Sequence, residues 1–289
     1  MLPSLSVSDR WYSSAKVTAT CSKETVTTWP GARRSENILI GFEPADAEQE
    51  IVLSAHYDSK TELLDHRGAA FFTRKLNLGI ALTLLLGLVG LVDGWLLTRG
   101  SPWAGIVYWT GIGLSLVMLF LAWGFGLNLS LGRFLQPSQG AVDNGAACAI
   151  LLDLADRLAR REIALLRTRV TIALFVGEEV GMQGSRAYVG SRDWPLPTIA
   201  INLEILGQDG DYVIWEREGN GLRRIPTTPG LNQALAGVVA ETTGEPPRSI
   251  DALMSDGFSF LSAGIPTAVL GTYHGQMEGG GLHRPTDNL

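Results

Sequence analysis

The chain has 289 residues and a formal net charge of −6, from 23 Lys and Arg against 29 Asp and Glu. Hydrophobic residues make up 46% and charged residues 18%, which excludes an intrinsically disordered chain, because disorder needs low hydrophobicity and high charge. The acidic balance argues against a nucleic-acid-binding protein, and two cysteines are too few for a disulfide scaffold.

The first predicted strand covers residues 51–55, and the apolar excess of the chain follows it in two stretches. Residues 76–92 contain no charged residue, Asp93 is a single interruption, and residues 103–132 again contain none. A helix needs about 20 mostly apolar residues to cross the hydrocarbon core of a membrane, so both stretches are long enough. The Gly- and Pro-containing link at 99–102 predicts a helical hairpin. The alternative is a pair of buried helices in a soluble core, although soluble helices normally show a polar face.

Charged residues beside the two stretches predict the orientation of this hairpin. Four basic residues lie on the side that holds both chain ends, against Arg99 in the connecting loop: Arg67, Arg74, Lys75 and Arg133. Because basic residues favour the cytoplasmic side, the sequence predicts an inner- or plasma-membrane protein whose remaining chain is cytoplasmic. Residues 1–10 lack the charged and apolar regions of a signal peptide, which is consistent with this prediction.

Outside residues 76–132, the chain alternates predicted strands with predicted helices. Short runs rich in β-branched residues predict strands at 51–55, 170–176, 199–206, 212–215 and 267–270. Apolar residues at helical spacing predict helices at 144–160, 231–242 and 256–263. This alternation is typical of an α/β domain with a largely parallel sheet, in which functional groups gather at the carboxyl ends of the strands.

Imidazole and carboxylate side chains follow these strands where they end. The residues are His56 and Asp58 after the first strand, Glu178 and Glu179 after the second, Glu204 in the third, Asp143 before the long helix, and His283 near the C-terminus. Singly, each has an ordinary interpretation, such as a hydrogen-bonded surface pair or an acidic helix N-terminus. Together at one sheet edge they would cost several kcal/mol to bury without a cation. Neutral imidazole with carboxylate is a ligand set suited to Zn²⁺.

Six motifs in these regions resemble those of the co-catalytic di-zinc exopeptidases of the bacterial leucyl aminopeptidase and glutamate carboxypeptidase type. The motifs are AHYD (55–58), GAVDNGA (140–146), FVGEEVGMQGS (175–185), INLEILG (201–207), SDGFSFLSAGIPT (255–267) and LHRPTDN (282–288). The resemblance covers roughly residues 35–75 and 137–289 and implies a phosphorylase/hydrolase-like three-layer α/β sandwich around a mixed, largely parallel sheet. The predicted organisation is a discontinuous peptidase domain, 1–75 and 133–289, into which a transmembrane hairpin, 76–132, is inserted.

The resemblance also implies a role for each residue. Asp143 would bridge two Zn²⁺ ions, with His56 and Glu204 completing one and Glu179 and His283 the other. Glu178 would be the general base that generates a metal-bridging hydroxide, and Asp58 would accept a hydrogen bond from His56 and fix its tautomer. The implied activity is removal of N-terminal residues from peptide substrates by an enzyme held in the lipid bilayer through 76–132.

Three departures from the family pattern stand out. Residue 204 is Glu where many relatives carry Asp, and the hairpin separates His56 from Asp143. The chain also stops just after the last motif, as expected of a fragment or a trimmed member. His274 competes with His283 as a ligand, and His283 is favoured because only it has the HxxxD context.

Three competing functions differ from zinc-dependent peptide hydrolysis in the residues that they require. A single-zinc glutaminyl cyclase-like acyltransferase shares the scaffold, but retention of all five ligands favours two metals and hydrolysis. A non-catalytic membrane module on the same scaffold would have lost ligands. A serine hydrolase has little support, because Ser185 lies in GMQGS rather than in a Gly-x-Ser-x-Gly elbow.

Overall fold

The computed structural model describes residues 17–28, 33–62, 76–132, 135–207, 210–220, 223–273 and 282–287. The chain divides into two compact units. Unit 1 comprises Met1–Lys60, Gln139–Gly275 and Asp287–Leu289, and unit 2 comprises Thr61–Ser138 and Gln276–Thr286.

A mixed β-sheet forms the centre of unit 1. In chain order, its nine described strands are β1 (Val17–Thr28), β2 (Arg33–Pro44), β3 (Gln49–His56), β4 (Thr168–Phe175), β5 (Thr198–Glu204), β6 (Asp211–Asn220), β7 (Arg223–Pro226), β8 (Arg248–Asp251) and β9 (Thr267–Tyr273). Their order across the sheet is β1-β2-β4-β3-β5-β9-β6-β7, with β8 paired to β6. The neighbours β4, β3, β5 and β9 are parallel, whereas β1, β2 and β7 join by antiparallel pairing. The mixed sheet with a parallel centre is therefore confirmed.

Helices cover both faces of this sheet. The unit 1 helices are α3 (Ala146–Ala159), α4 (Gln183–Gly190), α5 (Pro229–Thr243) and α6 (Gly257–Ser262). In β4, Ile172 and Leu174 pack in the cluster that contains α3, and Ala173 and Phe175 pack in the cluster that contains α4 and α6. Because successive side chains of a strand point to opposite faces, β4 is buried on both sides, as expected for the centre of a three-layer sandwich.

The predicted strands and helices of unit 1 are all present, with end points that differ by a few residues. Five elements of the structure were not predicted from the sequence: β1, β2, β7, β8 and α4. β1 is rich in exposed Thr and Ser, with Val26 as a buried apolar residue, so it lacks the alternation of apolar and polar residues on which the strand predictions depended. It forms nevertheless, since it pairs along its whole length with β2 and Thr and Val favour extended backbone.

Unit 2 contains two long apolar helices, α1 (Leu76–Thr98) and α2 (Ala104–Gly132). Each contains a stretch long and apolar enough to cross a membrane, Ala81–Thr98 and Ala104–Gly124. Buried residues make up 0% and 6% of these stretches, respectively, whereas helices of a soluble core would be mostly buried. The helical hairpin is thus present, and its two helices are candidate spans.

Candidate metal centre

The parallel strands bring the predicted site residues of unit 1 to one edge of the sheet. His56 ends β3 and lies beside Phe175, the last residue of β4, after which Gly177 leads into Glu178 and Glu179. Glu204 ends β5. The expectation that strand ends would gather these groups follows from parallel pairing, and the register of β3, β4 and β5 confirms that they share an edge.

Asp143 is presented by a short π-helical turn, Ala141–Gly145, that precedes α3. Gly140 begins this turn with φ +64°, a conformation that side chains disfavour. A Cβ atom at Gly140 would also lie 2.8 Å from the Asp143 carbonyl oxygen. Glycine at 140 therefore allows the tight turn that points Asp143 into the protein, where it is 5% exposed.

Three buried side chains converge closely enough to hold one cation. His56 Nε2 lies 3.1 Å from Asp143 Oδ1 and 3.2 Å from Glu204 Oε1. Ligand atoms about 2.0 Å from a tetrahedral Zn²⁺ lie about 3.3 Å from one another, so these separations fit such an ion. The donor set, one imidazole nitrogen and two carboxylate oxygens, also suits zinc.

Asp143 also lies close to a fourth predicted ligand, Glu179. The two residues each place a carboxylate oxygen within 4.8 Å of the other, so Asp143 is close to Glu179 as well as to His56 and Glu204. Lys60 Nζ lies 3.0 Å from Glu179 Oε2, an ion pair that the sequence analysis did not anticipate. Asp143 is thus a member of both groups of candidate metal-binding residues.

Asp58 holds both His56 and the Glu178–Glu179 turn, by means that differ from the prediction. The acceptor for His56 Nδ1 is the Asp58 backbone oxygen, at 2.9 Å, whereas the Asp58 carboxylate oxygen lies 3.7 Å away. Since a carbonyl oxygen only accepts, Nδ1 carries the proton and Nε2 is left to face Asp143 and Glu204. The Asp58 carboxylate instead accepts the backbone N–H groups of Glu178 and Glu179, at 3.2 and 3.4 Å.

Asp287, which lies in the motif at 282–288, has a structural role that was not predicted. Its buried carboxylate accepts the Val142 N–H at 2.7 Å and the Asp143 N–H at 3.4 Å. Asp287 therefore fixes the backbone of the turn that presents Asp143. The HxxxD context could have suggested a structural carboxylate, but its partners are about 145 residues away in sequence.

His283 belongs to unit 2, where its Nδ1 lies 3.6 Å from Glu62 Oε1 and its carbonyl oxygen accepts the Glu62 N–H at 2.9 Å. Its assignment to the second ion stays a prediction from the sequence. The competing residue, His274, lies outside the described residues.

Burial and close charges shift the pKa values of the site residues of unit 1. Burial raises the pKa of Glu178 well above 4.5, against the opposing effect of His56. Burial also raises the pKa of Glu204 above 4.5, again opposed by His56. Burial alone would lower the pKa of His56, but Glu204 and Asp143 outweigh it and hold the pKa well above 6.5. Carboxylates crowded in this manner repel one another, and a divalent cation relieves that repulsion.

Two further buried acids lie behind the site and were not predicted. Glu218 is fully buried, and burial raises its pKa to about 8 although Ser255 donates hydrogen bonds to it. Asp256 is also fully buried, and burial raises its pKa to about 7 against the opposing charge of His56. Both carboxyls therefore favour their protonated forms more than exposed acids do.

These shifts predict that the zinc-free protein loses stability as the pH rises from about 5 to about 8. In that interval folded Glu218 keeps a proton that the unfolded chain has released, so each pH unit costs up to about 1.4 kcal/mol per such group. Asp256 acts with the same sign. The free energy of unfolding, measured by urea denaturation at several pH values, should fall over this range, and less steeply in Glu218→Gln. A flat or rising profile would contradict the prediction.

Comparison with known proteins agrees with this geometry. The family model described as Peptidase family M28 matches residues 127–289, more than half of the chain. Curated protein sequences give no match.

Solved structures similar to this chain include the LapA aminopeptidase of Legionella pneumophila, with 14% identity and a TM-score of 0.54. That alignment covers 93% of this chain and 51% of LapA, so the chain spans about half the length of that relative. A Zn-dependent exopeptidase from Parabacteroides distasonis aligns with 14% identity and a TM-score of 0.56, covering 94% of this chain and 77% of its own. The glutaminyl cyclase of Porphyromonas gingivalis aligns with 13% identity and a TM-score of 0.54, covering 93% and 76%. At these identities the similarity shows the fold.

Proposed function

This chain belongs to peptidase family M28, and from that premise we propose that it is a membrane-anchored, zinc-dependent aminopeptidase that removes N-terminal residues from peptides. The observation that carries the proposal is the convergence of His56, Asp143 and Glu204 on one point, with the Glu179 carboxylate also close to Asp143. A structural ion pair would not need so many carboxylates around one imidazole, whereas a pair of cations would.

We assign two Zn²⁺ ions to these residues. His56 and Glu204 would hold one ion, Glu179 the other, and the Asp143 carboxylate would be shared, since two oxygens can span a metal pair about 3.5–4 Å apart. His283 is the proposed imidazole ligand of the second ion. Its Nδ1 faces the Glu62 carboxylate, an outer contact typical of metal-binding imidazoles. When bound, the zinc pair supplies Lewis acidity towards water and the scissile carbonyl.

Glu178 is the proposed general base. Its carboxyl would take a proton from the attacking water and then donate it to the departing amine. Burial raises its pKa well above 4.5, which strengthens this carboxylate as a proton acceptor. The Asp58 carboxylate, by accepting two backbone N–H groups, fixes the turn so that Glu178 and Glu179 take different positions. Asp58 therefore contributes by positioning the base and a ligand.

The activity test uses the full chain, purified in detergent and loaded with zinc. The substrates are a panel of aminoacyl-anilides, a set of peptides with blocked N-termini, and a glutaminyl substrate that can cyclise. The proposal expects zinc-dependent hydrolysis, with release of the aniline, only of substrates whose N-terminus is free. Cyclisation without hydrolysis would instead support a glutaminyl cyclase-like enzyme, a function suggested by the similar fold of one solved cyclase. Binding of zinc without turnover of any substrate would support a non-catalytic membrane module.

We also propose that α1 and α2 anchor the protein in a lipid bilayer. Both helices expose large apolar side chains, among them Leu84 at 73% and Leu119 at 64%, which water would solvate poorly. The protein is expected to stay in the membrane pellet after an alkaline carbonate wash. The double variant Leu84→Lys, Leu119→Lys should appear in the supernatant or fail to insert, because each charge costs about 2.5–3.5 kcal/mol at the centre of a span.

The matched control for this test is Leu166→Lys, which places the same charge on an exposed leucine of unit 1 (82% exposed) and should leave membrane retention unchanged. Complete release of the unmodified protein by carbonate would contradict the anchoring proposal. If the protein is retained in the membrane, protease accessibility of unit 1 in sealed vesicles tests the predicted cytoplasmic location.

A further inference from the structure

A buried glutamate outside the predicted site connects to the ligand Glu204 through hydrogen bonds. Glu218 lies on β6 with no exposed surface. Its Oε2 accepts both the N–H and the O–H of Ser255, at 2.8 and 2.9 Å. Burial of a carboxyl costs free energy, and hydrogen bonds to its oxygens offset part of that cost. The hydrogen-bond partners of Glu218 therefore indicate which residues its carboxyl supports.

Ser255 links Glu218 to Asn202, which contacts the candidate ligand Glu204. Because its hydroxyl hydrogen points to Glu218, the Ser255 oxygen is left to accept, and it accepts the Asn202 side-chain Nδ2 at 3.1 Å. The same Nδ2 donates its second hydrogen to Glu204 Oε2 at 3.0 Å. The Asn202 carbonyl oxygen accepts the Ser54 hydroxyl at 2.8 Å, so the orientation of the amide is fixed at both ends.

This Glu218 relay, formed by Glu218, Ser255 and Asn202, determines which oxygen of Glu204 is available to a cation. Oε2 of Glu204 is occupied by Asn202, and Oε1 faces His56 Nε2 at 3.2 Å. All three relay residues are at most 1% exposed. Because these residues are buried, water is not at hand to replace a lost hydrogen-bond partner. Loss of one hydrogen bond is therefore expected to weaken the next one in the relay.

Residue 257 is adapted to the relay. A Cβ atom at Gly257 would lie 2.5 Å from Glu218 Oε1 and 2.9 Å from Val269 Cγ2. Glycine at this position thus leaves the space that the Glu218 carboxyl occupies beside α6.

We propose that Glu218 is a positioning residue for the metal ligand Glu204 and acts through Ser255 and Asn202 to keep one carboxylate oxygen directed at the ion. The inference rests on the proposed function, since it requires Glu204 to bind zinc. Hydrogen-bonded outer partners of this kind orient a ligand and raise the affinity of its site.

The test measures the zinc dissociation constant of the full chain in detergent, by competition with a chromogenic chelator, for four variants. Glu218→Met keeps the length of the side chain but removes both acceptor oxygens, and Ser255→Ala removes the central hydroxyl. We expect each to weaken zinc binding by about 10- to 100-fold. Glu218→Gln keeps a carbonyl oxygen that can accept from Ser255, so its affinity should stay within about threefold of the unmodified protein.

The matched control is Glu50→Met. Glu50 is equally buried on β3 and accepts the Thr171 hydroxyl at 2.7 Å, but it lies at the opposite end of the strand from His56. The control should lower the unfolding midpoint without changing zinc affinity. A general loss of stability would affect both glutamates alike, whereas a positioning role affects the Glu218 variants alone.

Two outcomes overturn the inference: folded Glu218→Met or Ser255→Ala with unchanged zinc affinity, or Glu50→Met with the same loss. If Glu218→Met does not fold, the smaller change Ser255→Ala decides. Absence of zinc binding in the unmodified protein would contradict the proposed function itself, and is distinguished because it precedes any comparison of variants.

Discussion

Glu178→Gln is expected to retain its zinc and to lower kcat by about 10²- to 10⁴-fold, the range associated with a general acid–base group. The amide has nearly the same shape as the carboxyl but does not take up a proton at neutral pH. Its backbone N–H can still donate to Asp58, so the turn that carries Glu178 and Glu179 should keep its position. The measurements are zinc per chain and kcat on an aminoacyl-anilide.

Glu179→Gln provides the matched control for this variant. The adjacent residue receives the same substitution, but its carboxylate lies within 4.8 Å of Asp143 and is a proposed ligand. We expect it to lose zinc together with activity, and added zinc should restore part of the rate. If kcat of Glu178→Gln stays within about threefold of that of the unmodified protein, Glu178 is not the general base.

Asp143→Ala is expected to reduce bound zinc from about two ions per chain to less than one and to abolish turnover, because the proposed metal pair depends on a shared carboxylate. Replacement of any other single ligand should affect mainly one ion, so zinc content should fall furthest in the Asp143 variant. The structure supports this ranking, since Asp143 is close to both His56 and Glu179.

Asp153→Ala is a suitable control, as it removes an exposed carboxylate from α3 of the same unit. It should keep zinc and activity. Asp143→Ala that still carries about two zinc ions would show that the two groups of donors do not share this residue.

The sequence identifies the parallel centre of the fold and the site residues at its edge for one physical reason. Strands buried on both faces are rich in apolar residues, so β3, β4 and β5 are recognisable as apolar runs. The polar residues that end them, His56 and Glu204 among them, contrast with these runs. β1 lacks this contrast, because most of its side chains are polar and exposed, whereas β2 contains an apolar run at 38–42 that was not predicted as a strand. The pairing of β1 with β2 depends on register between two chain segments, which single-sequence patterns do not express.

The residues that support the ligands were the least predictable. Asn202 and Ser255 are ordinary polar residues whose significance lies in which atoms they reach, and Glu218 looks like a solvated charge on a surface strand. For Asp58 the residue was predicted, but the accepting atom differs, because backbone and carboxylate oxygens of one residue lie within reach of the same imidazole.

The hydrogen bonds from Val142 and Asp143 to Asp287 have a consequence for biosynthesis. The turn around Asp143 and the carboxylate that fixes it are separated by about 145 residues, which a ribosome adds in roughly 7–30 s. During translation, both long apolar helices and the turn therefore emerge before the carboxylate exists. The turn that presents Asp143 gains this backbone tether only when residue 287 has been made, after both candidate membrane spans have been synthesised.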